Sequence, residues 1–150
     1  MTNKKKIIND PVYGFINIPY NLVYDIIEHS YFQRLRRISQ LALTHLVYPG
    51  ALHTRFSHAL GAMHLMGQAI NVLKSKGHSI SDDESLAVTL SILLHDIGHG
   101  PLSHTIEQLM PALKELNIPI YNKQNIDQNR RANHEDYTIK FVTDSAVTNL

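Results

Sequence analysis

Cysteine is absent from the 150 residues, so the chain can form neither a disulfide nor a thiolate-ligated metal site. Any metal must be held by histidine and carboxylate, and the composition fits a reducing compartment. Charge is sparse as well. Acidic and basic residues make up 18% of the chain, below the usual quarter, and balance to a formal +1. That balance provides no strong field for nucleic acid or an anionic membrane, although KKK at 4 to 6 and RLRR at 34 to 37 are local basic patches. Long apolar runs are missing too. The most apolar stretch, Leu86 to Leu94, falls far short of the roughly 20 residues that span a bilayer. The N-terminal MTNKKKIINDPV has the charge of a signal peptide but no apolar stretch behind it. These absences predict a soluble, cytoplasmic protein without a membrane segment. No repeat, low-complexity tract or composition shift divides the chain, so residues 1–150 are expected to form a single domain, and 43% hydrophobic content suffices for one core.

Periodicity points to helices. Asp10-Pro11, Gly14 and the alternation Phe15-Ile16-Asn17-Ile18 predict a small hairpin or extended arm over residues 1–20, ahead of a helical core from 21 to 150. Leu22, Val23, Ile26 and Ile27 have helical spacing. Ser30-Tyr31-Phe32-Gln33 reads as a capping box restarting a helix that turns Leu35, Ile38 and Leu41 inward. After the Pro49-Gly50 turn, Phe56, Ala59, Leu60, Met63, Met66, Ile70 and Leu73 mark a long amphipathic helix that ends near Gly77. Ser81-Asp82-Asp83-Glu84 opens a helix apolar nearly all round, which is expected at the centre of a bundle. Gly98, Gly100 and Pro101 stop it, and Pro101 suits the start of a short helix to about Leu116. Asn133 is placed to cap a last helix through Tyr137 and Phe141.

What the chain has in plenty is histidine, ten in all. His95 and Asp96 follow the apolar helix directly, and a carboxylate delivered to an interior needs a counter-charge. Either a histidine or arginine pairs with it, or a divalent metal is ligated by both residues; adjacency alone favours the structural pair. Arg55 and His58 lie three apart on the preceding helix, off its apolar stripe, and can face the same point. His58 can then supply a third ligand. Beyond the glycines, His104 and Glu107 are again three apart, so Glu107 can orient the imidazole and raise its basicity. His29, His45, His64 and His78 have no patterned partners and read as ordinary packing or surface residues.

His58, then His95-Asp96, set in "LHTRFSHALG" and "LLHDIGHGPLSH", resembles the HD superfamily of metal-dependent phosphohydrolases, specifically its deoxynucleoside triphosphate triphosphohydrolase branch. The resemblance runs from "NDPVYG" through "FQRLRRISQL" to "NHED" at 133. HD-GYP phosphodiesterases usually have a lysine where this chain has His99. The resemblance implies an all-α HD-domain bundle in which His58, His95 and Asp96 bind a divalent metal: iron, manganese, zinc, nickel, cobalt or magnesium. A further aspartate downstream should complete the set. Asp136 and Asp144 follow the "NHED" histidine too closely, so this ligand is expected beyond Leu150 and the chain is expected to be truncated at its C-terminus, with an incomplete active site.

By the same resemblance, Arg55 clamps a phosphate, His99, His104 and His134 line the triphosphate and assist chemistry, and Gln40 and Leu41 meet the sugar. Asn9, Glu28, Gln33 and Arg36 fall at positions that bind a regulatory nucleotide in some relatives, with Glu28 in place of the usual aspartate. Dimers or tetramers are implied for the full-length protein. The expected reaction is hydrolysis of a deoxynucleoside triphosphate to nucleoside and triphosphate. The alternatives are hydrolysis of another nucleotide, such as an alarmone or monophosphate, and a non-catalytic nucleotide- or nucleic-acid-binding module.

Overall fold

The computed structural model describes residues 6–143 and 146–149; Lys4 and Lys5 of the basic run and Asp144 lie outside them. A hairpin opens the chain. β1 (Lys6–Asp10) pairs antiparallel with β2 (Gly14–Ile18), setting Ile8 opposite Ile16. Asp10 builds the turn, its Oδ1 accepting from the amides of Val12 at 2.8 Å and Tyr13 at 3.0 Å. Gly14 closes it at φ +70°, where a side chain would be strained. The hairpin docks on the helices through the fully buried Ile16.

α1 (Asn21–Glu28) buries Val23, Ile26 and Ile27. The helix expected from Ser30 is cut short. α2 (Ser30–Gln33) passes into a 3₁₀ turn over Arg34–Arg37, and Ile38 is already extended. Its cap is His29, whose Nδ1 accepts from the amide of Tyr31 at 3.3 Å, rather than Ser30. The cause is tertiary: the Ile38 carbonyl accepts from the amide of Arg55 at 2.9 Å, and Ser39 bridges to Thr54. Leu35 and Ile38 still reach the core, whereas Leu41 is 45% exposed.

α3 (Arg55–Ser75) is the long helix, capped by Thr54, whose Oγ1 accepts from the amide of Ser57 at 3.3 Å. Gly77 ends it at φ +89°. Phe56, Ala59, Leu60 and Met63 are buried, while Leu65, Val72 and Leu73 face outward. α4 (Asp82–Leu94) begins in the expected capping box of Ser81 and Glu84. It does not run through a bundle centre. It buries Ser85, Thr89 and Leu93 and leaves Val88 exposed. The two hydroxyls cost little there because they donate to the carbonyls of Ser81 and Ser85, at 2.8 and 2.7 Å.

The helix expected from Pro101 to Leu116 is two pieces: a 3₁₀ stretch over Ser103–Leu109, then α5 (Leu113–Leu116). Left-handed backbone at Leu102 and Ser103 offsets its start, and Pro111, without an N–H, separates the halves. α6 (His134–Thr143) starts at Asn133 as expected, with Asn133 Oδ1 accepting from the Asp136 amide at 3.0 Å and Asp136 Oδ2 from the Asn133 amide at 2.8 Å. Phe32, Leu35, Leu60, Leu93 and Ile97 belong to the main core, each worth about 1.5–3 kcal/mol of burial. A smaller core gathers Leu113, Leu116, Ile118 and Ala132. The result is an HD-type helical fold carrying a small two-stranded sheet. Among the described residues, no helix is long and apolar enough to cross a membrane.

Candidate active site

The first turn of α3 and the end of α4 converge, as the paired spacings required. His58 Nε2 and His95 Nε2 lie 3.4 Å apart, and both face Asp96 Oδ2, at 3.6 and 3.4 Å. The centre of such a triangle lies about 2.0 Å from each corner, the length of a metal–imidazole or metal–carboxylate bond. Imidazole nitrogen with carboxylate oxygen suits first-row divalent ions. The three residues therefore fit a metal. His58 and His95 are 39% and 38% exposed at their side chains, so the triangle opens to solvent. Burial lowers the His58 pKa, which favours the neutral, ligating form.

Asp96 itself is buried. Burial works to raise its pKa, but the His99 imidazole, His95 and the Arg55 guanidinium outweigh it and hold the carboxyl well below its ordinary range. Arg55 Nη1 donates to Asp96 Oδ2 at 2.5 Å, and Nη2 donates to Ser103 Oγ. Arg55 is thus directed at Asp96 from inside the protein, 2% exposed. His99 is buried against the other carboxylate oxygen, Nε2 to Oδ1 3.5 Å, without the alignment of a hydrogen bond. Among the described residues both of its ring nitrogens lack a hydrogen-bond partner, and burial lowers its pKa.

A second cluster adjoins the first through His99. His99 and His134 stack with ring centroids 3.9 Å apart and 14° between planes, and His104 meets both edge-on. Glu107 holds the pair together, Oε1 lying 2.5 Å from His134 Nδ1 and 3.2 Å from His104 Nδ1. Desolvation pushes the Glu107 pKa up, but the hydrogen bonds from His134 prevail and lower it. These four residues also bring ligand atoms close enough for a cation. The parallel rings of His99 and His134, however, direct their lone pairs in separate planes, which disfavours their convergence on one ion.

Backbone contacts hold the clusters together. A Cβ on Gly98 would fall 2.1 Å from the His134 carbonyl oxygen and 2.3 Å from the Thr138 amide, so only glycine lets α6 bring His134 over His99. Thr138 Oγ1 accepts from the Gly98 amide at 3.0 Å and donates to the His95 carbonyl at 3.1 Å. Arg34 donates through Nη1 to the His99 carbonyl at 2.7 Å and through Nη2 to that of Ile97. Arg34, Ser103 and Thr138 carry no local signature of these roles, because their partners lie far along the chain. RLRR reads as a basic patch in the sequence, yet its Arg34 turns inward to the carbonyls of Ile97 and His99.

Gln40 is half-buried, with its Oε1 enclosed and without a hydrogen-bond partner among the described residues, and Leu41 stands exposed beside it. A cavity of about 670 Å³ opens next to His58, lined by Tyr13, Leu52, His53, Ser57 and Gly61 among others. Of the four residues expected at a regulatory nucleotide, Gln33 and Arg36 are brought together, Arg36 Nε donating to Gln33 Oε1 at 2.7 Å beside a pocket that Arg34 and Arg37 share. Asn9 lies exposed on β1 and Glu28 exposed at the end of α1, and neither lines that pocket. Asp136 is committed elsewhere, taking both Arg130 Nη1 and Nη2 at 2.7 Å.

Two packed helices thus bring a histidine pair and an aspartate together, the arrangement expected of an HD domain. A crystal structure described as a phosphohydrolase, from Bacteroides thetaiotaomicron, is 50% identical with TM-score 0.71, covering 89% of this chain and 29% of its own. The deoxynucleoside triphosphate triphosphohydrolase SAMHD1 homolog of Dictyostelium discoideum is 35% identical over 91% of this chain and 24% of its own. Human deoxynucleoside triphosphate triphosphohydrolase SAMHD1 is 43% identical over 68% and 16%. No family model matches. The chain belongs to the HD-domain, deoxynucleoside triphosphate triphosphohydrolase-like family. It spans about a quarter or less of the length of the curated relatives it matches.

Proposed function

We propose that the protein hydrolyses deoxynucleoside triphosphates to the nucleoside and inorganic triphosphate, with His58, His95 and Asp96 as metal ligands. The observation that carries this reading is the adjacency of the two clusters: a donor triangle of metal-binding size meets, across Asp96 and His99, a histidine pair anchored on one carboxylate. A divalent ion bound there supplies an acidified water and a polarised phosphoryl oxygen. The remaining work falls to the chain. Glu107, held ionised, takes the Nδ1 protons of His104 and His134, which leaves Nε2 of each ring to accept or deliver a proton. His104 is the one within reach of a substrate, 64% exposed at its side chain against 18% for His134. It protonates the departing 5′-oxygen, while His134 and Glu107 hold it in place. Gln40, beside Leu41, is assigned to a sugar hydroxyl, which its carbonyl oxygen reaches once the half-buried side chain turns outward.

The test is product analysis with each deoxynucleoside triphosphate in the presence of manganese. Inorganic triphosphate with free nucleoside supports the reading. Pyrophosphate or orthophosphate would instead indicate another nucleotide hydrolysis on the same centre, and protection from heat without turnover would indicate a binding module. His104→Ala is expected to abolish turnover with metal content near normal; joint loss of both removes the role given to His104.

A further inference from the structure

We propose that Arg55 is a built-in rival of the metal, holding Asp96 Oδ2 until a divalent ion displaces its guanidinium and thereby frees it to meet phosphate. The inference rests on the reading of His58, His95 and Asp96 as metal ligands. Its basis is that one atom serves two cations. Asp96 Oδ2 is the carboxylate corner of the triangle, and it is also the atom that accepts from Arg55 Nη1 at 2.5 Å.

Charge makes the two occupants compete. Ligating imidazoles must be neutral, so Asp96 is the one negative charge that these three residues bring to the centre. A guanidinium and a divalent ion on the same oxygen would set three positive charges against one, a few ångströms apart and largely out of water. Among the groups facing Asp96, His58 and His95 lie on the open side and Arg55 and His99 on the buried side, and none is acidic.

The guanidinium is also incompletely satisfied in its present place. Nη2 donates to the neutral hydroxyl of Ser103, and Nε is buried with no hydrogen-bond partner among the described residues. Leaving Asp96 therefore gives up the charged hydrogen bond and the one to Ser103, while the Nε donor has no bond to lose. A displaced Arg55 stays beside a centre that is then strongly positive, which a phosphate can neutralise through the guanidinium fork. Metal loading would precede phosphate binding for this reason, and phosphate would in turn tighten the metal. The contrary role is a buttress, in which Arg55 keeps its bond and orients the carboxylate toward the ion. The two roles differ in the sign of one measurement.

That measurement is manganese binding by the purified protein, from free Mn²⁺ in equilibrium dialysis, together with thermal melts in EDTA and in Mn²⁺. Arg55→Gln is expected to melt lower in EDTA, because Asp96 loses its counter-charge, yet to bind Mn²⁺ about tenfold tighter than wild type and to gain more from it on melting. Arg55→Lys, which keeps the charge, should stay near wild type. Equal or weaker Mn²⁺ binding by Arg55→Gln overturns the rivalry. Should Arg55→Gln fail to fold, wild-type protein labelled with ¹⁵N-arginine gives the answer: the Arg55 guanidinium signals should change from slow to fast rotation on Zn²⁺ addition, and signals unmoved by bound Zn²⁺ overturn it. Asp96→Asn separates the two failures. If it binds Mn²⁺ as wild type does, the metal reading itself falls; if it loses binding and Arg55→Gln does not tighten it, only the rivalry falls.

Discussion

Gly98 and His134 touch backbone to backbone, with room for no side chain between the loop after α4 and the first turn of α6. Their contact sets the stacking of His134 on His99. Because the obstructing atoms are main-chain ones, an added methyl must move the helix. Gly98→Ala is therefore expected to cost about 3 kcal/mol in a thermal or urea melt, and to lower turnover of the native protein further than the stability loss explains. A variant of wild-type stability would mean that α6 can retreat freely.

Glu107 is the shared anchor of two imidazoles, and among the described residues it bonds to His104 and His134 rather than to any of the three corners of the metal triangle. Glu107→Gln keeps the shape and removes the charge. Turnover should fall roughly 100-fold or more while manganese stoichiometry is unchanged. A parallel loss of manganese would show that the two clusters are one structural unit rather than two with separate roles.

Arg34 reaches 65 residues along the chain to hold the carbonyls of Ile97 and His99. Burial lowers its pKa, and its charge is satisfied by those carbonyl dipoles. Arg34→Gln should destabilise the protein by about 1.5–3 kcal/mol, the range for hydrogen bonds to a charged group. Faster amide hydrogen exchange confined to residues 97–100 would locate the effect.

Asp136 makes a pH prediction. Burial raises its pKa, but the Arg130 fork and the Asn133 amide lower it more, so the folded value lies below the ordinary one. A depressed carboxyl contributes stability above its unfolded pKa of about 3.9 and loses it as pH falls through the folded value. Asp136→Asn should therefore melt well below wild type at pH 7, and the gap should close on acidification below about pH 4. A gap that persists at pH 2 would make the loss one of shape rather than charge.

What the sequence disclosed and what it withheld divide along chain distance. Short-range signals held: Asp10 and Gly14 for the hairpin, Ser81 with Glu84 and Asn133 for caps, Gly77 for the end of α3. His104 and Glu107 were paired by helical spacing and do meet, although on a 3₁₀ stretch. The pairing survives because three residues complete a 3₁₀ turn, which stacks such neighbours directly. The lost readings were those decided by distant partners. The chain leaves the helix at Ile38 so that Ser39 bridges to Thr54, and Arg34 turns inward from a run that reads as a basic patch. Asp96 needs a counter-charge on sequence grounds, and Arg55, whose spacing already aims it at the same point, provides one. The buried stripe of α4 misled for a different reason: its inward positions include Ser85 and Thr89, whose hydroxyls are satisfied by their own helix.

The two oxygens of Asp96 point to different neighbourhoods, Oδ2 to His58 and His95, Oδ1 to His99. One side chain is thus common property of the group that would bind an ion and the group that would move a proton. Energetic bookkeeping by single substitutions will misstate both. Paired changes such as His95→Ala with His104→Ala should depart from the sum of their separate effects, whereas the same pair built on an Asp96→Asn background should become independent.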